Sequence, residues 1–282
     1  MTLCDAFFQF IVIQVDCPNS SNLLAIITGP KITEFLNIMK QKNSLIWRNL
    51  SKRLDDNGLN VFSSIPISTI DDDLRADLDS AMVDRETSYN TVVIIGHSGS
   101  KIWPRVEADL AVCDEPVDQF SIKTVNEAFS ELAKNSTCEI IYPGSTQIPL
   151  QKLGKFCGWG ESSWLGINIY KPFGTWYAFR AVLLSTLELP QVAMEQYKSP
   201  CLSCVDKPCL TACPVNAPGE PGEFDLNGCV NYRLSSNSDC ANTCLARYAC
   251  PEAKDFAYPQ SMGNYFYGRS LQTLKRWEKS GR

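Results

Sequence analysis

Eight of the thirteen cysteines in this 282-residue chain fall between Cys201 and Cys250. Their spacing is the strongest chemical signal the chain carries. The first run reads Cys201-x2-Cys204-x4-Cys209-x3-Cys213-Pro214, and four more thiols follow at Cys229, Cys240, Cys244 and Cys250-Pro251. Thiols at that density form disulfides, hold zinc or hold iron–sulfur clusters. Disulfide frameworks belong to small secreted chains. Here the N-terminal stretch "MTLCDAFFQFIVIQVDCPNSS" lacks a basic leader, carries Asp5 early and is expected to be a strand. The setting expected is therefore reducing and cytoplasmic, and the thiols are expected to bind metal. Zinc in two four-cysteine sites is one option, but zinc ribbons pair two C-x2-C knuckles and only Cys201 and Cys204 make one.

Iron is the other option. A tight loop can deliver three thiolates to a [4Fe–4S] cubane, and in two-cluster ferredoxins the fourth cysteine, the one before proline, ligates the second cluster. The run here is two residues longer between its second and third thiols than the usual C-x2-C-x2-C-x3-C-P. The same cross-ligation assigns Cys201, Cys204, Cys209 and Cys250 to one cluster, and Cys213, Cys229, Cys240 and Cys244 to another. None of the eight is left over.

The elements that position these ligands are less sharply written. Residues 31–57 place Phe35, Leu36, Met39, Leu45, Ile46, Leu50 and Leu54 at helical spacing, with Gly58 as the stop. "LNVFSSIPI" has strand character and "DDDLRADLDSAMV" reads as a short acidic helix. "NTVVIIGHSG" (90–99) predicts a buried central strand of an α/β sheet. A helix is expected over 116–134 and a strand over 138–144. The passage 154–190 is expected to run from a loop through a strand at "WLGINIY" and a turn at "KPFG" into a helix from Trp176 to about Leu187. Pro190 and Pro200 bracket a linker, and the tail reads as a terminal basic helix. The fold class expected is α+β: an α/β domain over 1–195, a ferredoxin-type two-cluster domain over 196–260 and a C-terminal helix over 261–282.

Three stretches resemble the epoxyqueuosine reductase and reductive dehalogenase family: "GWGESSWLGINIY" before the cysteines, "PCLSCVDKPCLTACPVNA" as the first cluster run and "CANTCLARYACPEA" as the second. A group of uncharacterised bacterial ferredoxin-like proteins is a closer likeness, through "GHSGSKIWP", the element Gly174, Trp176 and Arg180, and "NYFYG". The resemblance implies a nitroreductase-like N-terminal α/β domain, two [4Fe–4S] clusters, cobalamin reduced by the adjacent cluster and an electron-donor protein of ferredoxin or flavodoxin type. The chain departs from the family where epoxyqueuosine reductase presents an aspartate in a "D-T-x-P" passage. Here "GSTQIPLQKLGKFCGWG" has Ser145 and Thr146 instead. Nor is there room for a helical-repeat domain to grip tRNA, so tRNA modification is not expected.

Two functions fit. The first is an iron–sulfur oxidoreductase that passes single electrons through both clusters to a cofactor, a corrinoid among the candidates, or to a substrate in the N-terminal domain. The second is a non-catalytic electron carrier or subunit that docks a partner enzyme. A net charge of −5 and a pI of 5.1 argue against nucleic acid. No apolar run reaches the roughly 18 residues that span a membrane. Beyond the cysteines, His97 reads as a polar turn residue and Arg180 as half of a structural ion pair. Cys157 reads as a free buried thiol, and Trp164, Tyr170, Phe173, Trp176, Tyr177 and Phe179 read as core. The basic tail, with Arg269, Lys275, Arg276, Lys279 and Arg282, reads as a solvated helix face.

Overall fold

The computed structural model describes residues 11–13, 25–27, 29–220 and 223–279. Two short strands, β1 (Ile11–Ile13) and β2 (Ala25–Ile27), pair antiparallel. The rest of the N-terminal strand expectation, with Cys4 and Cys17, lies outside the described residues, as does Arg282. The long helix α1 (Gly29–Asp56) follows. Its second half buries Trp47, Leu50 and Leu54, whereas Phe35, Leu36 and Met39 at its start are exposed.

The body of the molecule is a four-stranded sheet in the order β3 (Val61–Pro66), β4 (Thr91–Ser98), β8 (Tyr177–Ser185), β5 (Cys138–Tyr142), with every neighbour antiparallel. The central strand predicted at 90–99 is present as β4, but its neighbours run against it rather than parallel. The larger correction is β8. Residues 177–185 are not a helix: they pair with β4 on one side and β5 on the other. Their apolar run fits either reading by pattern, and burial on both faces decides it. Ala181 and Leu183 face one core with Val93 and Ile95, while Val182 and Leu184 face the other with Val92 and Ile94. Each of these side chains is at most 1% exposed, and burying one aliphatic side chain this size contributes about 1.5–3 kcal/mol. The two faces of β8 therefore tie two layers together.

One layer is built by α1, α3 (Trp103–Val106) and α4 (Pro116–Leu132). Helix α4 turns Val117, Ser121, Thr124, Val125, Ala128 and Phe129 inward, a single 3.6-residue stripe. The opposite layer holds α2 (Asp72–Ala81) and α5 (Leu150–Phe156). The Leu74 amide donates to Asp71 Oδ1 at 2.8 Å, which caps α2 at the acidic start the sequence announced. After α5 come two-residue strands β6 (Glu161–Ser162) and β7 (Asn168–Ile169), so the strand expected over "WLGINIY" contracts to two residues near its C-terminal end.

Past β8 the chain carries only short helices until its end: α6 (Pro208–Thr211), α7 (Leu226–Leu234), α8 (Leu245–Ala249), and then the long α9 (Gln260–Lys279). The terminal helix returns to the sheet. Tyr258 and Met262 lie in the same core as Trp103 and Trp176, with Phe266 packed against it. No helix among the described residues is long and apolar enough to cross a membrane.

Candidate functional site

The eight cysteines fall into two separate groups. Cys201 sits in a single 3-10 turn (Pro200–Leu202), and Cys209 opens α6 behind Lys207, whose φ of 41° is left-handed. Cys250 ends α8. With Cys204 these thiols wall one cavity of about 170 Å³, together with Trp164, Ile169, Lys207 and Glu252. The other four come from the end of the first run, from α7 and from the start of α8. Asp225 caps α7 by accepting from the Gly228 amide at 2.9 Å, which holds Cys229 one turn along. Cys213, Cys229, Cys240 and Cys244 wall a second cavity of about 170 Å³, with Leu165, Ile167, Arg233 and Arg247. All eight are free thiols.

Burial pushes the Cys209 thiol up, and the neighbouring Cys250, Cys201 and Cys204 add to it. Burial pushes Cys229 up to about 11, with Cys244, Cys213 and Cys240 reinforcing and the Arg233 guanidinium opposing. Two amides donate to sulfur in the second group, Ala217 N to Cys213 and Arg247 N to Cys244, both at 3.4 Å. Among the described residues, no set of three or more His, Cys, Asp or Glu is drawn together as metal ligands would be.

The segment 164–169 separates the two cavities. Trp164 and Ile169 face the first, Leu165 and Ile167 the second. Its shape rests on glycines. Gly160 has a φ of 89°, and a Cβ there would stand 2.2 Å from the Ile169 carbonyl oxygen; Gly166, at 70°, lies against the Phe224 side chain.

A third and larger cavity, about 660 Å³, opens between the sheet and the cysteine-bearing region. Its walls come from β5, α5, the start of β8, α8 and α9, through Tyr142, Lys152, Tyr177, Arg180, Arg247 and Tyr258 among others. Ile167 and Arg247 line both this cavity and the second cysteine cavity. Three cations and no carboxylate line the large cavity. The Tyr258 side chain is 4% exposed and its hydroxyl makes no hydrogen bond of ordinary geometry; Asn168 Oδ1, in the same wall, is likewise unpartnered. Burial raises the Tyr258 pKa, against the opposing pull of Arg247 and Arg180, so it stays a neutral donor.

His97 is not a turn residue. It lies on β4 opposite Ala178, wholly buried, stacked against Tyr258 at 5.6 Å and Phe266 at 6.0 Å. Its Nδ1 accepts from Arg180 Nε at 2.9 Å and its Nε2 has no partner. Burial, then Arg180 and Arg247, hold it well below the usual histidine range, hence neutral. Arg180 is on a strand rather than a helix and does pair, with Asp118 at 3.7 Å. Cys157 is buried, and burial pushes its thiol up. Most of the aromatic group is core as expected, but Tyr177 and Phe179 also line the large cavity. In the tail, Arg269 pairs with Glu115 across to α4. The sequence reading missed Arg233, Arg247 and Tyr258. One signal was available: "CLARYACP" puts an arginine between two of the eight clustered cysteines, where a loop of that size has little room for an unused charge.

No family model and no curated protein matches the chain. Among solved structures it is similar in fold to an epoxyqueuosine reductase crystallised with an epoxyqueuosine-modified tRNA-Tyr stem loop. The TM-score is 0.50 at 14% identity, over 79% of this chain and 69% of that one. Epoxyqueuosine reductase of Bacillus subtilis gives 0.48 at 14%, over 77% and 68%. A B12-trafficking protein of C. elegans gives 0.43 at 13%, over 84% and 97%. The mixed helix-and-sheet architecture expected from the family resemblance is thus found at the level of fold.

Proposed function

We propose that the chain is an iron–sulfur oxidoreductase. In this reading Cys201, Cys204, Cys209 and Cys250 hold one [4Fe–4S] cluster, Cys213, Cys229, Cys240 and Cys244 hold a second, and the large cavity holds the acceptor. The observation that carries it is the pair of thiol cavities, one of which shares Ile167 and Arg247 with the large cavity. Four thiols at each cavity suit iron or zinc. Tetrahedral zinc draws four sulfurs onto one ion at about 2.3 Å, commonly from two C-x2-C knuckles, and Cys201 and Cys204 are the one such knuckle among the eight. A cubane takes one thiolate at each of four separate irons and supplies single-electron transfer.

The acceptor is a cofactor or substrate carrying negative charge. Arg247 has no carboxylate partner among the described residues and is placed to meet an anionic group, beside Lys152 and Arg180, which pair with Asp71 and Asp118, and Tyr258 has a hydrogen bond to give. Corrinoids and flavin nucleotides both present a phosphate. The electron donor is a protein of ferredoxin or flavodoxin type, docking beside the first cavity, where Leu202 and Val205 are 73% and 90% exposed.

The test is anaerobic purification with iron and sulfide analysis, followed by titration with hydroxocobalamin and with flavin mononucleotide. About eight irons per chain are expected, with a stoichiometric spectral shift for one of the two ligands. A colourless protein with stoichiometric zinc overturns the cluster assignment. Full iron with neither ligand bound favours the electron-carrier function.

A further inference from the structure

The two thiol cavities have equal volume and the same four ligands, but not the same surrounding charge. The first is lined by one cation and one anion, Lys207 and Glu252. Lys207 is turned over the Trp164 ring, 4.5 Å from its centroid. The second is lined by Arg233 and Arg247 with no carboxylate. Neither arginine has a carboxylate among the ion pairs of the described residues. Arg233 is 9% exposed, and its guanidinium donates to the Cys240, Ala241 and Tyr267 carbonyls and to Ser270 Oγ. Arg247 donates to Thr175 and lies over the Trp176 and Tyr258 rings at 4.6 and 5.0 Å. Two guanidinium groups on one wall, Arg233 buried and Arg247 half-buried, with no carboxylate partner, are costly unless a negative charge faces them.

Resting on the iron–sulfur reading above, we propose that Arg233 and Arg247 hold the second quartet at a higher reduction potential than the first. That difference gives single electrons a direction, from the first quartet to the second and so to the large cavity. A cluster held by four thiolates gains one negative charge on reduction, and net charge around the sulfurs is one of the terms that set its potential. In a buried setting a guanidinium a few ångströms away favours the extra electron far more than in water. Lys207 and Glu252 largely cancel at the first site. Arginine stays charged at every accessible pH, so the bias is permanent. The step itself is balanced: one electron leaves the first site as one arrives at the second, no bond forms or breaks, and the external donor protein restores the first.

The test is an EPR-monitored redox titration of the cluster-loaded full chain, with Arg247→Gln and Arg247→Lys alongside. The signal lost in Cys229→Ala marks the second site and the signal lost in Cys250→Ala the first. Wild type is expected to show the second site at the higher midpoint. Arg247→Gln should move that midpoint to more negative potential and leave the other in place, with Arg247→Lys moving it less. Arg233→Lys, which keeps the charge, should move that midpoint no further than Arg247→Lys does and leave the first in place. Unchanged midpoints in Arg247→Gln at full iron content, or a shift at the first site instead, overturn the proposal while leaving the cluster assignment standing. A wild type that binds no iron overturns both.

Discussion

The two cysteine quartets share a donor set and a cavity size and differ in how the chain holds them. The first is assembled from a 3-10 turn, a four-residue helix and the end of α8. The second is braced: Arg233 on α7 reaches three carbonyls and a hydroxyl, two of the four partners on α9, and α9 in turn packs into the core over the sheet. Four thiols thus line one cavity shaped mainly by its own loop, and four line another fixed to the body of the molecule. Ligand type says which metal chemistry is available; the second set of contacts says what that chemistry is coupled to.

The hardest test of the division is to delete one ligand from each side. Cys250→Ala is expected to lose about four of about eight irons and one EPR signal, and Cys229→Ala the other four and the other signal. A Cys250→Ala protein that keeps all its iron breaks the grouping. Next in size is the brace. Arg233→Met strips the charged hydrogen bonds from three carbonyls, at about 1.5–3 kcal/mol for each such bond to a charged group. Chemical denaturation should show a loss of at least about 3 kcal/mol, and a loss under about 1 kcal/mol would mean the brace is idle.

A smaller difference concerns pH. His97 lies beside Arg180 and Arg247, on the second quartet's side of the molecule, and its protonation would add a third cation there. Because the fold lowers its pKa, the folded protein binds fewer protons than the unfolded one. The stability this gives is complete above the unfolded value near 6.5 and is lost as pH falls below it, at up to about 1.4 kcal/mol per pH unit. It is the only histidine in the sequence, so His97→Phe should flatten the profile between pH 7 and 5.5. An unchanged slope in that variant would assign the effect elsewhere. The smallest effect is expected at the first loop. Lys207→Gly relieves a left-handed residue worth about 1 kcal/mol and gives up a cation–π contact worth about 0.5–1 kcal/mol. The melting temperature should barely move, and a drop of more than about 5 °C would show the Lys207–Trp164 contact to be structural.

The quartets were legible because cysteine spacing is chemistry written locally, and the Cys-Pro endings point across to the partner group. Strand β4 was legible for a similar reason: an unbroken apolar run ending in glycine. Strand β8 was not. "YAFRAVLLS" is apolar on both faces, and a doubly buried strand and a buried helix leave the same trace over nine residues. The large cavity was invisible for a different reason. Tyr142, Lys152, Arg180, Arg247 and Tyr258 belong to no common motif and meet only because α9 folds back over the sheet. His97 was misplaced by a turn reading of "GHSGS", whereas the turn begins after it, at Gly99.

The linker between the sheet and the first cysteine also has a use. The amide and carbonyl of Val192 exchange hydrogen bonds with Ser64 at 2.8 and 2.9 Å, and the Ser64 hydroxyl donates to the Pro190 carbonyl. The linker therefore lies along the outer side of β3, one of the sheet's two edge strands, and occupies backbone groups that would otherwise be open to a strand from another molecule. Cutting or lengthening the chain at 190–194 would expose that edge. The cost would be read as aggregation and poor expression, with the thiol sites themselves untouched.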